Sequence, residues 1–214
     1  MQIVLTGASR GIGAALREIY EARGDRVTGT SRAGGDGLMA LDATDPTQIK
    51  AMADALQGKP IDLLICNAGV YLDKGQPLDT GFPADMWAQE FATNVTGPFL
   101  CIQALLPNLR AAGGKVAVIS SAMGSQERAP GGSYIYRASK AAVLNVVRNL
   151  AADLAPQGIA LGAYHPGWVR TDMGGSGADI DVATSAKGLV QRFDALSPAT
   201  SGCFETYEGT KIPF

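Results

Sequence analysis

The chain has 214 residues, 46% of them hydrophobic and 18% charged, with a formal net charge of −2. That is enough chain for one domain with a proper core, and its balance excludes a nucleic-acid or membrane-surface footprint. Three cysteines at wide spacing beside a single histidine exclude a structural zinc site, so no metal is expected.

The start, MQIVLTGASRGIG, carries no basic leader and only a five-residue apolar run, so a cytoplasmic protein is expected. Ile3 to Thr6 reads as a buried strand and Gly11 to Arg23 as a helix. Arg26 to Ser31 and Leu38 to Leu41 read as strands, Pro46 to Leu56 as a helix, and Ile61 to Cys66 as the fourth strand. One long helical stretch follows from Ala84 to Arg110, then a strand from Lys115 to Ser120. A helix around Tyr136 continues to about Leu154, Ile159 to Tyr164 is a strand, Val182 to Leu196 a helix, and Cys203 to Tyr207 a last short strand. Strands that are continuous apolar runs, alternating with helices, predict a parallel sheet covered on both faces. Residues 1–214 are therefore expected to form a single doubly wound α/β domain of about seven strands.

The turn Gly7-Ala8-Ser9-Arg10-Gly11-Ile12-Gly13 links the first strand to the first helix. Gly7 allows the tight turn, Gly11 lets backbone approach a pyrophosphate, and Gly13 lets helix pack on strand. The helix N-terminus offers free N–H groups and positive dipole to a phosphate. The end of the second strand selects the cofactor. An acid there would bind the ribose hydroxyl of NAD, but this chain has Ser31-Arg32, joined by Arg10. These suit a 2′-phosphate, so NADP(H) is expected rather than NAD(H).

Tyr136 and Lys140 are four residues apart in SYIYRASKAAV, on one helix face. An ammonium near a phenol favours the phenolate and is expected to lower the Tyr136 pKa, which suits acid/base work on a carbonyl or alcohol oxygen. Tyr134 lacks such a partner, because its i+4 residue is Ala138. The same spacing also occurs on solvated helix faces, so the pair takes its meaning from the rest of the chain. Ser121, Asn67 and His165-Pro166-Gly167 each follow an apolar strand. Ligands of open α/β sheets bind at those strand ends.

Seven segments in order, TGASRGIG, LDATD, CNAGV, TNVTGPF, ISSAMG, YRASK and HPGWVRTDM, resemble the short-chain dehydrogenase/reductase family over the whole length. The tail, from PGWVRTDMGG to SGCFETYEGTKIPF, resembles its C-factor and sniffer-type carbonyl reductase branch. The resemblance implies a Rossmann-type fold. It also implies Tyr136 as catalytic acid/base, Lys140 as its activator and ribose ligand, and Ser121 as the serine that orients the substrate oxygen, with Ser120 as competitor. Asn94 becomes the fourth member, holding a water through its backbone carbonyl. Asp42 is implied at the adenine, Asn67, Ala68 and Gly69 along the cofactor, and Pro166, Gly167, Val169 and Thr171 over the nicotinamide. Family members pair through the helices at 84–110 and 133–154, which implies a homodimer or homotetramer acting on a small carbonyl or alcohol. Pro98 gives the Asn94 role physical support: proline has no N–H, so the Asn94 carbonyl loses its intrahelical partner. The loop SQERAPGGS between Ser121 and Tyr136 is longer than the family pattern.

Two rival readings belong beside this one. Gly7-Ala8-Ser9-Arg10-Gly11 also satisfies GxSxG, and Ser9 with His165 and an intervening acid would make a hydrolase. The third reading is a non-catalytic nucleotide-binding signal or sensor protein on the same fold.

Overall fold

The computed structural model describes all 214 residues. In chain order they form β1 Gln2–Leu5, α1 Gly11–Ala22, β2 Arg26–Ser31, β3 Met39–Ala40, α2 Pro46–Ala55, β4 Leu63–Cys66, α3 Ala84–Phe91, α4 Gly97–Ala112, β5 Lys115–Ile119, α5 Tyr134–Leu154, β6 Ala160–His165, α6 Val182–Ala195 and β7 Cys203–Thr206. Apart from the stretch expected as one helix over Ala84 to Arg110, the predicted elements are present with ends moved by one or two residues. The sheet runs β3-β2-β1-β4-β5-β6-β7 with every pair parallel. It is a seven-stranded Rossmann-type sheet. The strand order reverses between β1 and β4, so a crevice opens at their carboxyl ends.

Side-chain alternation along the strands feeds two cores. Val4, Leu64, Val116 and Val118 point to the face covered by α2, α4 and α5. Ile3, Leu5, Leu63, Ile65 and Ala117 point to the other, where α1 and α6 bring Leu16, Tyr20, Leu189 and Phe193. The Phe193 ring meets Tyr164 edge-on at 5.0 Å. Two helices are capped by their own sequence. Asp45 accepts from the Thr47 amide at 2.8 Å and Asp181 from the Thr184 amide at 2.7 Å, contacts worth about 1 kcal/mol each.

The stretch expected as one helix from Ala84 to Arg110 is instead broken. Residues Ala92–Thr96 form a π-helical turn between α3 and α4. Pro98, at the start of α4, cannot supply an N–H, and the chain widens there rather than kinking. Asn94 sits inside that widened turn.

Candidate active site

A cleft of about 610 Å³ lies over the carboxyl ends of β1, β4, β5 and β6. Ser31, Arg32 and Asp42 line one end, the Gly7–Gly13 turn and Asn67-Ala68-Gly69 its middle, and Tyr136, Lys140, Pro166 and Thr171 the other. Sixteen of the expected positions thus face one crevice: Gly7, Ser9, Arg10, Gly11, Ile12, Gly13, Ser31, Arg32, Asp42, Asn67, Ala68, Gly69, Tyr136, Lys140, Pro166 and Thr171. Asn94, Ser121, Gly167 and Val169 stand outside its lining.

The glycine turn is built by close approach. A Cβ on Gly13 would come 2.0 Å from the Gly7 carbonyl oxygen, so no larger residue lets α1 start there. The turn is tied to β4 by side chains. Asn67 Nδ2 donates to the carbonyls of Thr6 and Gly7 at 3.1 and 3.0 Å, and Thr6 Oγ1 accepts from the amides of Asn67 and Ala68. Asn67 therefore holds the turn's shape as well as lining the cleft. At the far end, Ser31 Oγ accepts from the Gly34 amide and one Asp42 oxygen is bonded to Thr44. Arg32 makes no ion pair, while Arg10 pairs with Asp172 across the cleft mouth. Both partners of that pair are largely exposed, so the contact holds little energy and Arg10 can exchange it for another anion.

The chemistry-bearing groups lie at the opposite end. The missing Cβ of Gly124 lets α5 approach the turn after β5, since a Cβ there would lie 2.7 Å from the Lys140 carbonyl carbon. This draws Lys140 under the sheet, where Nζ donates to the Ile119 carbonyl at 3.0 Å and lies 5.6 Å from the Tyr136 ring centre. The Tyr136 ring is buried and stacks on Tyr71 with centres 4.1 Å apart. The expected lowering of the Tyr136 pKa is not what the chain by itself has. Burial pushes the phenol well above its ordinary value; the neighbouring Ser121 hydroxyl opposes this, while Tyr71 and Glu90 add to the rise. Burial pushes the Lys140 ammonium down to about 8, with Glu90 working against the fall. Desolvation dominates, so Tyr136 keeps its proton at neutral pH.

The two serines separate by what they touch. Ser120 Oγ points back to the Lys140 carbonyl, whereas Ser121 Oγ accepts from the Met123 amide and interacts with the Tyr136 phenol. Asn94 is buried, and its side chain bridges the backbone of Val70 and the Ser139 hydroxyl. It thus joins the segment after β4 to α5. Over the cleft, residues 168–181 fold back on themselves through Val169 and Ile180, and Trp168 Nε1 and Lys74 Nζ both bond the Gly174 carbonyl. The short glycine-rich lid, Gly174 to Asp181, is therefore pinned at Gly174 by two side chains and at Ile180 through Val169. Sequence reasoning missed Tyr71, Asp73 and Glu90, which surround Tyr136; no motif marks them, and an acid in the helical run ADMWAQEF looks like a solvated one. His165 is half-buried, its pKa pushed down to about 4 chiefly by desolvation, and its shielded Nδ1 has no partner. No carboxylate orients it, which removes the basis for a Ser9 hydrolase triad.

With this geometry in hand, residues 1–179 match the family model described as short chain dehydrogenase. The chain belongs to the short-chain dehydrogenase family of oxidoreductases. Among curated proteins it is similar to C-signal of Myxococcus xanthus, with 41% identity over 168 residues, covering 78% of this chain and all of that protein. Among solved structures it is similar to a short-chain dehydrogenase/reductase of Burkholderia multivorans with bound NADP, at a TM-score of 0.91 and 31% identity, covering 100% of this chain and 99% of that one. Carbonyl reductase Sniffer of Drosophila melanogaster superposes at a TM-score of 0.91 with 26% identity, again over 100% and 99% of the two chains.

Proposed function

We propose that the chain is an NADPH-preferring carbonyl reductase in which Tyr136 is the acid and Lys140 and Ser121 tune and orient it. The observation that carries the reading is the buried Tyr136–Lys140 pair, with Ser121 behind it, at one end of a cleft whose other end holds Ser31 and an unpaired Arg32. The cleft's residues fit a dinucleotide phosphate. The Gly7–Gly13 turn presents backbone where a Cβ is sterically excluded, and the α1 N-terminus faces it. Gly7, Ser9, Arg10, Gly11, Ile12 and Gly13 would hold the pyrophosphate, and Ser31 and Arg32 the 2′-phosphate. Asp42 would contact the adenine, while Asn67, Ala68 and Gly69 flank the middle of the cofactor. Pro166, Gly167, Val169 and Thr171 would cover the nicotinamide. The chemistry NADPH supplies when bound is hydride donation to a carbonyl carbon.

The protein's own part is proton delivery. Tyr136, kept protonated by burial, gives its proton to the carbonyl oxygen as negative charge develops there. Ser121 donates a second hydrogen bond to that oxygen. Lys140, charged below about pH 8, stabilises the phenolate left behind. Asn94, in the π-turn before Pro98, would offer its backbone carbonyl to a water that restores the proton. The same residues serve alcohol oxidation in reverse.

Titration with NADPH and NADH, followed by fluorescence, tests the cofactor half of the reading. Much tighter NADPH binding is expected, weakened in Arg32→Ala toward the NADH value. Equal binding of both would overturn the 2′-phosphate assignment. The likeness to C-signal keeps a signalling role in view, but a binding-only protein has no need of a Ser121, Tyr136 and Lys140 set. Bound NADPH with no carbonyl turned over would favour it. Pairing of chains through α4 and α5 belongs to the same proposal, with Phe99 of α4 left 37% exposed.

A further inference from the structure

Helix α5 begins in an unusual way. Ser133, at its N-cap, sits at φ +50°, a left-handed conformation unfavourable for a non-glycine residue, and its side chain caps none of the helix amides. The first amides of a helix have no intrahelical acceptor and need one from elsewhere. Here it comes from 62 residues upstream. Asp73, wholly buried, accepts from the Ile135 amide at 2.8 Å with one oxygen and from the Tyr136 amide at 3.4 Å with the other.

Asp73 is one of four consecutive residues that each grip a different part of the site. The Tyr71 ring stacks on Tyr136, and its hydroxyl bonds the strained Ser133. The Leu72 amide donates to Glu90 Oε2 of α3 at 3.0 Å. Lys74 Nζ bonds the carbonyls of Met173 and Gly174 in the lid. Glu90 is wholly buried and its second oxygen has no partner. The charged and titratable groups that act on it are Asp73 from the same segment, Lys140 and Tyr136 from α5.

We propose that residues 71–73, anchored by Glu90, are the clamp that positions Tyr136 for proton transfer, with Asp73 and Glu90 as positioning residues. The proposal rests on the reductase reading for its kinetic consequence but not for its geometry. Asp73 fixes where the backbone of Tyr136 starts, Tyr71 fixes the ring plane, and Glu90 holds the segment in place. Glu90 also sets the charge balance behind the pair. Burial pushes the Glu90 carboxyl up to about 7, and once ionised above that pH it supports the Lys140 ammonium and opposes the Tyr136 phenolate.

Three variants test this in the full-length protein: Asp73→Asn, Glu90→Gln and Tyr71→Phe, each first checked for NADPH affinity. Asp73→Asn is expected to lower kcat roughly 10- to 100-fold, the scale of a misplaced catalytic group, while KM and NADPH affinity stay near wild type. Hydrogen exchange at the Tyr136 amide is expected to quicken about tenfold, because Asn keeps one acceptor oxygen for Ile135 and sets an NH2 group where Tyr136 had its acceptor. Glu90→Gln keeps an acceptor for Leu72 but removes the charge. Both Lys140 and Tyr136 then titrate lower, so the basic limb of the pH–rate profile moves to lower pH. A structural role alone would reduce the rate without moving that limb. Tyr71→Phe keeps the ring stack and loses only the Ser133 bond, and a milder loss in kcat is expected. Unchanged exchange at the Tyr136 amide in Asp73→Asn overturns the clamp whether or not the wild type reduces any carbonyl. Faster exchange with unaltered kcat in an active enzyme overturns the positioning role, and an unmoved basic limb in Glu90→Gln overturns the part given to Glu90. A wild type that turns over no carbonyl while Asp73→Asn still loses protection overturns the reductase reading and leaves the clamp standing.

Discussion

At the scale of single residues, the decisive contest at Tyr136 is between desolvation and a neighbouring hydroxyl. The phenol is buried against Tyr71, and burial dominates over the lowering by the Ser121 hydroxyl, so the proton stays on the oxygen at neutral pH. Reduction is therefore expected to weaken as pH rises through about 8, where Lys140 loses its charge. A stopped-flow or steady-state pH profile of kcat reads this directly, and a rate that climbs through that range would contradict it. The i,i+4 spacing of Tyr136 and Lys140 made this pair legible in the chain, as did the glycine turn and the Ser31-Arg32 end of β2. Asp73 and Glu90 were not legible. Their partners, the amides of Ile135 and Leu72, are reached only through tertiary packing, and nothing local separates a buried acid from a solvated one. The Tyr136 shift was misjudged for the same reason, since burial is not written at the residue that suffers it.

At the scale of elements, the join of β1 to α1 is the most demanding. With a Cβ on Gly13 placed 2.0 Å from the Gly7 carbonyl, Gly13→Ala forces the helix off the strand. It is expected to cost about 1–3 kcal/mol, the range for overpacking, and to weaken NADPH binding together with Tm. Thermal melts with and without NADPH check this, and a variant with wild-type Tm and affinity would refute the packing argument. The helix from Ala84 onward shows where an element resists being read. Apolar spacing continues through Asn94 and hides the break, while Pro98 alone signals it, and a missing N–H can be met by a kink or by a wider turn. The chain takes the wider turn at Ala92–Thr96. The parallel sheet, by contrast, follows from the alternation of apolar strands with helices, which needs crossover connections between neighbouring strands.

At the scale of the whole molecule, no helix is long and apolar enough to cross a membrane. The acid limb of stability has a named contributor. His165 is held near pKa 4 by burial and by Arg128, below its ordinary value of 6.5. A depressed histidine stabilises the fold above its unfolded pKa, and that share is lost as pH falls from about 6.5 toward 4, where the unfolded chain takes the proton first. The loss amounts to about 3 kcal/mol at 1.36 kcal/mol per unit. Melts of wild type and His165→Gln across that range should converge at low pH, and parallel curves would count against it. Association is expected as a dimer or tetramer, read by light scattering on the eluting protein. A monomer at micromolar concentration would remove the α4–α5 pairing from the account.

The most direct test is NADPH consumption by wild type and Tyr136→Phe against a panel of small ketones and aldehydes, with NADPH affinity measured on both. The account predicts turnover by the wild type, loss of roughly 10²–10⁴-fold in the variant, and affinities for NADPH that stay alike. A Tyr136→Phe protein that binds NADPH normally and keeps more than about a tenth of the rate, well short of the general acid contribution, would contradict it.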